Sequence, residues 1–242
     1  MAADAEDVEH RVRRLISAGT VAHHSDDGLL RLCDLCDVAV ADLDLAAATV
    51  SMMTDLGPTV VANSSSMLGM ALADLEVACG EGPSFDATRD RRPVLASDLP
   101  FEGRRRWTEF AVGAVRLGCS ATWTFPLGVG AARLGVLLMS FAAVQTMSPE
   151  RARVALMFAE IATEIVLDIE GDRDDVVRDA DVARMIDLRA EVYPAQGMVM
   201  VDLGTSATDA LVRMRAHAFV HDLDLTVLAT RIVDRTVRLE PR

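Results

Sequence analysis

The sequence contains no lysine, since all 24 of the basic residues in its 242 positions are arginine, against 37 acidic residues. Together with the many Ala, Val and Asp residues, this bias is typical of a high-GC genome. The formal net charge is −13, and non-specific affinity for nucleic acid depends on cationic side chains that neutralise phosphates. The composition therefore argues against bulk binding to nucleic acid. Any such function needs a local arginine-bearing face of specific shape.

Long apolar runs are also missing. Stretches such as 136–139 and 141–144 fall far short of the roughly 20 apolar residues that span a bilayer. The N-terminus, 1–7, is acidic and lacks the apolar segment of a signal peptide. These absences predict a cytoplasmic protein with no membrane association.

Cysteine is scarce, with four residues in all, Cys33, Cys36, Cys79 and Cys119. A reducing cytosol disfavours disulfides. Cys33 and Cys36 form a C-x-x-C pair, but they lie in a segment of helical periodicity, and no second pair of Cys or His completes a tetrahedral metal site. We expect these two residues to be small members of the core, and we predict no metal.

Periodicity and turn signals predict the following elements. Helices are expected over 6–18, 28–42 and 104–117, a short helix or ordered loop over 64–75, and strands over 46–53, 59–62, 93–96, 120–127 and 134–141. Ser148 and Pro149 give a sharp helix start, and the apolar spacing continues to about residue 170, with a second helical segment over 176–188. The predicted fold class is α/β (α+β), one antiparallel sheet flanked by helices, followed by an all-helical tail.

The last 50 residues predict three short helices in a compact bundle. Pro194 lies in the first turn of the first helix and Gly204 at its end, and Thr205 and Asp224 are expected to cap the next two helices. The positions expected to face inward are Ala210, Leu211, Met214, Ala218, Leu228, Ile232 and Val233.

This segment resembles the ANTAR domain, an RNA-binding module of bacterial transcription antiterminators, over about residues 185–239. The resemblance is carried by Ala195-Gln196-Gly197-Met198-Val199-Met200, Gly204-Thr205, Ala210, Met214-Arg215, Ala218, Leu225, Ala229 and Ile232-Val233. Two positions depart from the family pattern: Gln196 replaces a commoner basic residue, and Met214 stands where Leu is usual.

The resemblance implies binding to RNA hairpins of nascent transcripts, with an indirect effect on RNA polymerase. Hairpin loops expose bases that can stack and form hydrogen bonds. The candidate RNA-binding residues are Gln196, Arg213, Arg215, His217, Arg231 and Arg235. Arg213 and His217 are four residues apart and share a helix face, as do Arg231 and Arg235. Any one of them is equally explained as a solvated surface charge.

The region before the tail resembles a GAF domain over about residues 8–170. The resemblance is carried by the element order together with Gly80-Glu81-Gly82-Pro83-Ser84, Arg92-Pro93-Val94, Ser97-Asp98-Leu99 and the paired strands 122–127 and 134–141. It implies a sensor that binds a small molecule or that mediates dimerisation. The candidate pocket residues are Met52, Trp107, Phe110, Trp123 and Phe125, and ordinary core packing is the alternative for all five. No residue identifies the ligand, so the cofactor is unknown.

The predicted organisation is a GAF-like sensor domain over 8–170, a helical linker over 171–188 and an RNA-binding ANTAR domain over 189–242. The predicted function is signal transduction by a homodimeric antitermination regulator, whose helix 149–170 forms the dimer seam. One alternative is a ligand-sensing or dimerising protein-interaction module without RNA binding.

A second alternative is a GAF-type thiol reductase that uses Cys79 and Cys119. Ser84 stands where related sequences can carry Cys, and no motif of catalytic residues is present. We therefore predict that the chain is not an enzyme.

Overall fold

The computed structural model describes residues 10, 12–14, 28–54, 57–171, 192–205, 207–221, 223 and 225–239. Contacts divide the chain into two compact units, one of residues 1–77 and 81–178 and the other of residues 78–80 and 179–242. Residues 10 and 12–14 of the first predicted helix are helical. The predicted helix 176–188, and with it most of the predicted linker, lies outside the described residues.

The first unit is built on one antiparallel sheet in the order β2-β1-β5-β4-β3. Its strands are β1 (Ala47–Thr54), β2 (Gly57–Ser64), β3 (Val94–Ala96), β4 (Ala121–Val129) and β5 (Ala132–Phe141). All five strands were predicted, with shifts of at most two residues at their ends, because alternating apolar residues and Gly-containing turns are strong local signals. The sheet with its flanking helices confirms the predicted fold class for this unit.

Helices cover both faces of this sheet. They are α1 (Gly28–Leu43), α2 (Met67–Cys79), α3 (Pro83–Asp90), α4 (Arg104–Arg106), α5 (Thr108–Arg116) and α6 (Pro149–Gly171). The outer face, which we define as the face covered by α1 and α6, contacts α1 through β1 and β2 and α6 through β4 and β5. The inner face is covered by α2, α3 and α5, whose apolar side chains join those of β3 and β5 in one buried cluster. No helix among the described residues is both long and apolar enough to cross a membrane.

Helix α6 begins where the sequence predicts. The Ser148 hydroxyl oxygen accepts a hydrogen bond from the Arg151 backbone N–H at 3.2 Å, and Pro149 is the first helical residue. Phe158, Ile161 and Ile165 of its apolar stripe are buried within the chain, where α6 packs against α1 and the sheet. Val154, Met157 and Ile169 of the same stripe are only partly buried. The dimer seam on this helix stays a prediction.

The predicted single helix over 104–117 is wrong in one respect. A π-helical turn over Leu99–Gly103 leads into the short α4, and the chain leaves helical geometry at Trp107, with φ −137° and ψ 87°, before α5 begins. The Trp107 side chain is buried, and its indole Nε1 donates a hydrogen bond to Asp86 of α3 at 3.1 Å. The burial of Trp107 and its hydrogen bond to Asp86 stabilise the fold more than one further turn of unbroken helix would.

Gly82 closes the turn that leads into α3. Its backbone has φ 149° and ψ 172°, a region that is open essentially to glycine alone. A Cβ atom at this position would lie 2.4 Å from Oε1 of Glu76. The same Oε1 accepts the Ser84 backbone N–H at 2.7 Å, which places a buried carboxylate at the N-terminus of α3. The backbone conformation and the closeness of Glu76 together explain why glycine occupies this position.

The second unit contains α7 (Val192–Leu203), α8 (Ala207–Val220) and α9 (Leu225–Val233), which pack against one another. Gly204 ends α7 with φ 59°. Five of the predicted inward positions are buried, Ala210, Met214, Ala218, Leu228 and Ile232. The prediction for Val233 is wrong, since this last residue of α9 is 37% exposed. The side chain of Leu211 and the predicted cap Asp224 lie outside the described residues.

We predict that Gly82→Ala lowers the free energy of unfolding by about 3 kcal/mol, because the backbone strain and the clash with Glu76 act together. Gly130→Ala is the matched control: Gly130 also has positive φ, at 58°, but none of the residues that the structure describes lies within 4 Å of the added Cβ. That variant should lose only about 1 kcal/mol. Urea unfolding of the full chain measures both, and equal losses in the two variants would contradict the role assigned to Glu76.

Candidate functional site

Strand β4 presents different chemistry on its two faces, because successive residues of a strand point to opposite sides. Thr122 pairs with Ala96, and Thr124 pairs with Val94 and Leu138. Ala96, Val94 and Leu138 all belong to the buried cluster that also contains Leu72, Trp107 and Phe110. Directly paired residues share a face, so both threonines lie on the inner face, toward α2, α3 and α5.

The aromatic residues of β4 lie on the outer face. Trp123 packs against Phe141 with ring centroids 4.4 Å apart, and the guanidinium of Arg151 in α6 lies 5.0 Å from the centre of the Trp123 ring. Phe125 follows two residues later and pairs with Leu137. The outer face of β4 is therefore an aromatic surface that holds α6.

The five predicted pocket residues do not line one pocket. Strand pairing places Met52 on the outer face with Trp123 and Phe125, whereas Trp107 and Phe110 belong to the inner cluster. All five are buried, with at most 6% of their surface exposed. Core packing, the alternative considered for these residues, accounts for their burial. The prediction of a shared pocket is wrong because the sheet separates its members.

The inner face carries two polar groups that the sequence-based prediction missed. The hydroxyls of Thr122 and Thr124 are buried, and no described residue gives either a hydrogen-bond partner. The neighbouring Ser140 differs, since its hydroxyl donates to the Ala47 carbonyl at 3.2 Å. A buried hydroxyl without a partner costs about 1–3 kcal/mol, and bound water or ligand is a common explanation. The sequence does carry a pattern that could have predicted these groups, because threonines alternate with large apolar residues over 121–125.

Three cysteine residues of this unit, Cys33, Cys36 and Cys119, are packed against neighbouring residues. Cys119 is buried, its thiol donates to the Ala121 carbonyl at 3.4 Å, and burial raises its pKa to about 11. Burial also raises the pKa of the Cys36 thiol, which confirms this residue as a core member. Cys33 is half-buried, and its sulfur accepts a hydrogen bond from Asn63 at 2.6 Å. A reactive thiol needs a lowered pKa, so these environments favour packing over catalysis.

The second unit contains an open cleft of about 540 Å³ between α7 and the segment that follows α9. Its lining residues are Pro194, Gly197, Met198, Val199, Val201, Asp202, Ile232, Arg235, Val237, Arg238 and Leu239. Its walls combine apolar side chains with three charged residues, Asp202, Arg235 and Arg238. Of the predicted RNA-binding residues, only Arg235 lines this cleft.

At two positions of the cleft lining, the residue present is less stable in its backbone conformation than another residue would be. Arg235 has φ 58°, and its N–H and that of Thr236 donate to the carbonyls of Ile232 and Arg231, which together form a Schellman motif at the end of α9. Glycine is the usual residue at this left-handed position. Gly197 lies within α7, where glycine costs about 1 kcal/mol relative to alanine. No described residue lies within 4 Å of a Cβ added there.

The other predicted RNA-binding residues are distributed over the unit. Arg213 and Arg231 are exposed, and His217 and Arg215 are partly buried. Gln196 is only 4% exposed, so the prediction that its side chain contacts RNA is wrong. Helical position explains its burial, since Gln196 lies between Ala195 and Val199 on the buried face of α7.

Arg238 is a cleft residue that helical spacing could not reveal, because it lies beyond the last helix. Its guanidinium donates two hydrogen bonds to the carboxylate of Asp202, at 3.0 and 2.9 Å. The pair links the C-terminal segment to α7 at the edge of the cleft. Arg238 is 76% exposed in its side chain and remains accessible from solvent.

Comparison with known proteins extends this description. No family model and no curated protein match the sequence. Among solved structures, the GAF domain of an Acinetobacter phosphoenolpyruvate-protein phosphotransferase matches with a TM-score of 0.54 at 9% identity, covering 70% of this chain and 97% of that one. The first unit has a GAF-like fold.

A second solved structure of this kind is the free methionine-R-sulfoxide reductase of Neisseria meningitidis in complex with its substrate. It matches with a TM-score of 0.50 at 15% identity, covering 72% of this chain and 93% of that one. Identities this low show the fold alone. Activity and ligand must be argued from the residues of this chain.

We predict that Thr122→Val leaves the free energy of unfolding unchanged or raises it by about 1 kcal/mol, because a methyl group replaces a hydroxyl that gains nothing from the described residues. Ser140→Ala, on the same face, should lower it by about 1 kcal/mol, because a hydrogen bond is lost. Urea unfolding of the purified chain distinguishes the two. A loss in Thr122→Val as large as that in Ser140→Ala would show that the Thr122 hydroxyl is already paired.

Proposed function

We propose that this chain is a transcription antitermination regulator, in which the GAF-like unit senses a small molecule and the helical unit binds hairpin RNA as an ANTAR domain. Three features support the proposal. They are the GAF-like fold of the first unit, the ordered residue pattern over 195–233 that resembles ANTAR domains, and the cleft between α7 and the C-terminal segment.

The observation that carries the proposal is the pair of unfavourable residues in the cleft. Gly197 weakens the middle of a helix, and Arg235 occupies a backbone conformation that glycine would adopt more easily. Residues that lower stability in this way concentrate at functional sites. Because both line the same cleft, we infer that ligand binding there is the reason for keeping them.

The chemistry of the cleft suits an RNA loop. A base that is unstacked from a hairpin loop presents an apolar face and a hydrogen-bonding edge. Met198 and Ile232 supply apolar walls, and Arg235 supplies a planar cation that can stack on a base or bind a phosphate with two hydrogen bonds. The missing side chain at Gly197 lets a base approach the α7 backbone.

The remaining cations would act on the RNA backbone. Arg213 and Arg231 are exposed, and exposed arginines bind phosphates in a salt-dependent way that carries no sequence preference. In a chain of formal charge −13, these few contacts give little affinity by themselves. Specific binding then depends on the cleft, and loop sequence should matter more than RNA length.

For the sensor, the proposed ligand contacts are the hydroxyls of Thr122 and Thr124. They direct polar groups toward the inner layer, where the Trp107 and Phe110 side chains also lie. A ligand with both apolar surface and hydrogen-bonding groups fits this combination. We further propose that the chain acts by binding and not by catalysis, which the raised pKa of the Cys119 thiol supports. A homodimer would place two helical units on two hairpins and raise the effective affinity.

The function is tested by measuring binding of the purified full chain to RNAs that carry two tandem hairpins with varied loop sequences. The measurement is made at two salt concentrations. We expect binding that is lost when the loop bases are changed and that weakens modestly with salt. If the folded protein binds none of these RNAs, the alternative of a protein-interaction module replaces the antitermination proposal.

We predict that Arg235→Gly lowers affinity for the preferred hairpin at least tenfold while it raises the free energy of unfolding by about 1 kcal/mol, since glycine relieves the left-handed backbone. Opposite changes in affinity and stability separate a binding role from a structural one. Arg133→Ala is the charge-matched control, because Arg133 is an exposed arginine of the β4–β5 hairpin in the first unit.

Gly197→Ala should behave in the same way. The added methyl stabilises α7 by about 1 kcal/mol and narrows the cleft, so affinity for the loop should fall. Fluorescence anisotropy with labelled hairpins gives the affinities, and urea unfolding gives the stabilities. Unchanged RNA affinity in both cleft variants would contradict the role assigned to the cleft.

A further inference from the structure

Two histidines form a close pair at the end of α8. His217 lies in the last turn of the helix, and the N–H of His221 donates to its carbonyl at 3.1 Å, so the two residues keep helical i, i+4 spacing. Their imidazole rings lie 4.3 Å apart between centroids and are inclined by 38°. The side chains therefore converge instead of spreading into solvent. His221 is exposed, and His217 is partly buried.

The pair has the ligand chemistry of a transition-metal site. Neutral imidazole nitrogen binds Zn²⁺, Ni²⁺ and Cu²⁺, with metal–nitrogen distances of about 2.0–2.1 Å. Two imidazoles one helical turn apart can direct nitrogens at a single ion, because the terminal χ2 torsion of histidine is broad. Burial and the neighbouring His221 lower the pKa of His217, which favours the neutral, metal-binding form.

Charges around the pair limit the strength of the site. Arg213 precedes His217 by one turn and is exposed, so a cation bound to the histidines meets a positive neighbour. No group of three or more His, Cys, Asp or Glu that could hold a metal occurs among the described residues. The described residues therefore supply two ligands, and other donors such as water fill the remaining positions. Hard ions such as Mg²⁺ and Ca²⁺, which prefer oxygen ligands, should not compete.

We propose that His217 and His221 form a two-imidazole binding site for a divalent transition metal ion, Zn²⁺, Ni²⁺ or Cu²⁺. The ion would join successive turns at the end of α8 and stabilise the folded helix by binding it in preference to the unfolded chain. The site does not depend on RNA binding and remains whether or not the helical unit binds a hairpin. Since His217 is also a predicted RNA contact, bound metal would change the chemistry that this face offers to RNA.

The test uses Cu²⁺ as the probe, because it binds nitrogen ligands most strongly among these ions. The full chain has five histidines, His10, His23, His24, His217 and His221. A variant with His10→Ala, His23→Ala and His24→Ala retains only the pair, and it should bind one Cu²⁺ per chain with the electron paramagnetic resonance pattern of two nitrogen ligands. His221→Ala and His217→Ala, each made in that background, should weaken binding at least tenfold.

The outcomes are distinct. His221 is exposed, so His221→Ala should keep its fold even if the partly buried His217 does not tolerate substitution, and circular dichroism checks both variants. Zn²⁺ and Ni²⁺ should displace Cu²⁺ only when present in large excess, because Cu²⁺ binds nitrogen ligands more strongly, and each should raise the melting temperature of the chain that holds the pair. Absence of binding by the triple variant, or equal binding after His221→Ala, would overturn the proposal. Neither result bears on the RNA measurement, so failure of one proposal is distinguishable from failure of the other.

Discussion

The two-sided character of β4 is the constraint on which the arrangement of the first unit depends. Its aromatic side chains lie on one face and its threonines on the other, so the two helical layers meet different surfaces. On the outer face, Arg151 of α6 lies over the rings of Trp123 and Phe141 and donates a hydrogen bond to the Leu43 carbonyl at the end of α1. A planar cation on aromatic rings is worth more when desolvated. This single side chain links both outer helices to the sheet.

The inner layer is held by polar contacts as well as by packing, and this makes its two unpaired hydroxyls informative. The Glu76 carboxylate accepts the Ser84 N–H, and the Thr88 hydroxyl donates to the Ser84 carbonyl, so α3 is anchored through groups that are buried and paired. Satisfying buried polar groups is the rule in native proteins. Thr122 and Thr124 are exceptions to this rule on the inner face, and the indole Nε1 of Trp123 is another on the outer face. The inner face differs in that two such groups lie on one strand, and for this reason we propose it as the face that contacts the sensor's ligand.

Local signals in the sequence predicted the elements well but could not assign faces. Ser148 and Pro149 mark the start of α6 because a helix cap is a short-range interaction, and the five strands follow from alternation. Alternation alone does not say which face receives which helices, so Trp123 was grouped with Trp107 although the sheet separates them. The break at Trp107 depends on Asp86, which lies 21 residues away in sequence. For Gln196, the family position suggested an exposed cation, whereas its helical neighbours bury it.

In the second unit, the cleft contains two residues that lower the stability of the fold. If packing alone had shaped the cleft, alanine at position 197 and glycine at position 235 would each be more stable by about 1 kcal/mol. A single such residue is unremarkable because proteins rarely reach their stability optimum. Here two such residues line one cleft: Gly197 leaves space, and Arg235 places a cation beside that space. Binding of the proposed RNA ligand explains both residues at once. The bidentate pair of Arg238 and Asp202 then has a clear role, since it holds the C-terminal wall of the cleft against α7 while Arg235 remains available to the ligand.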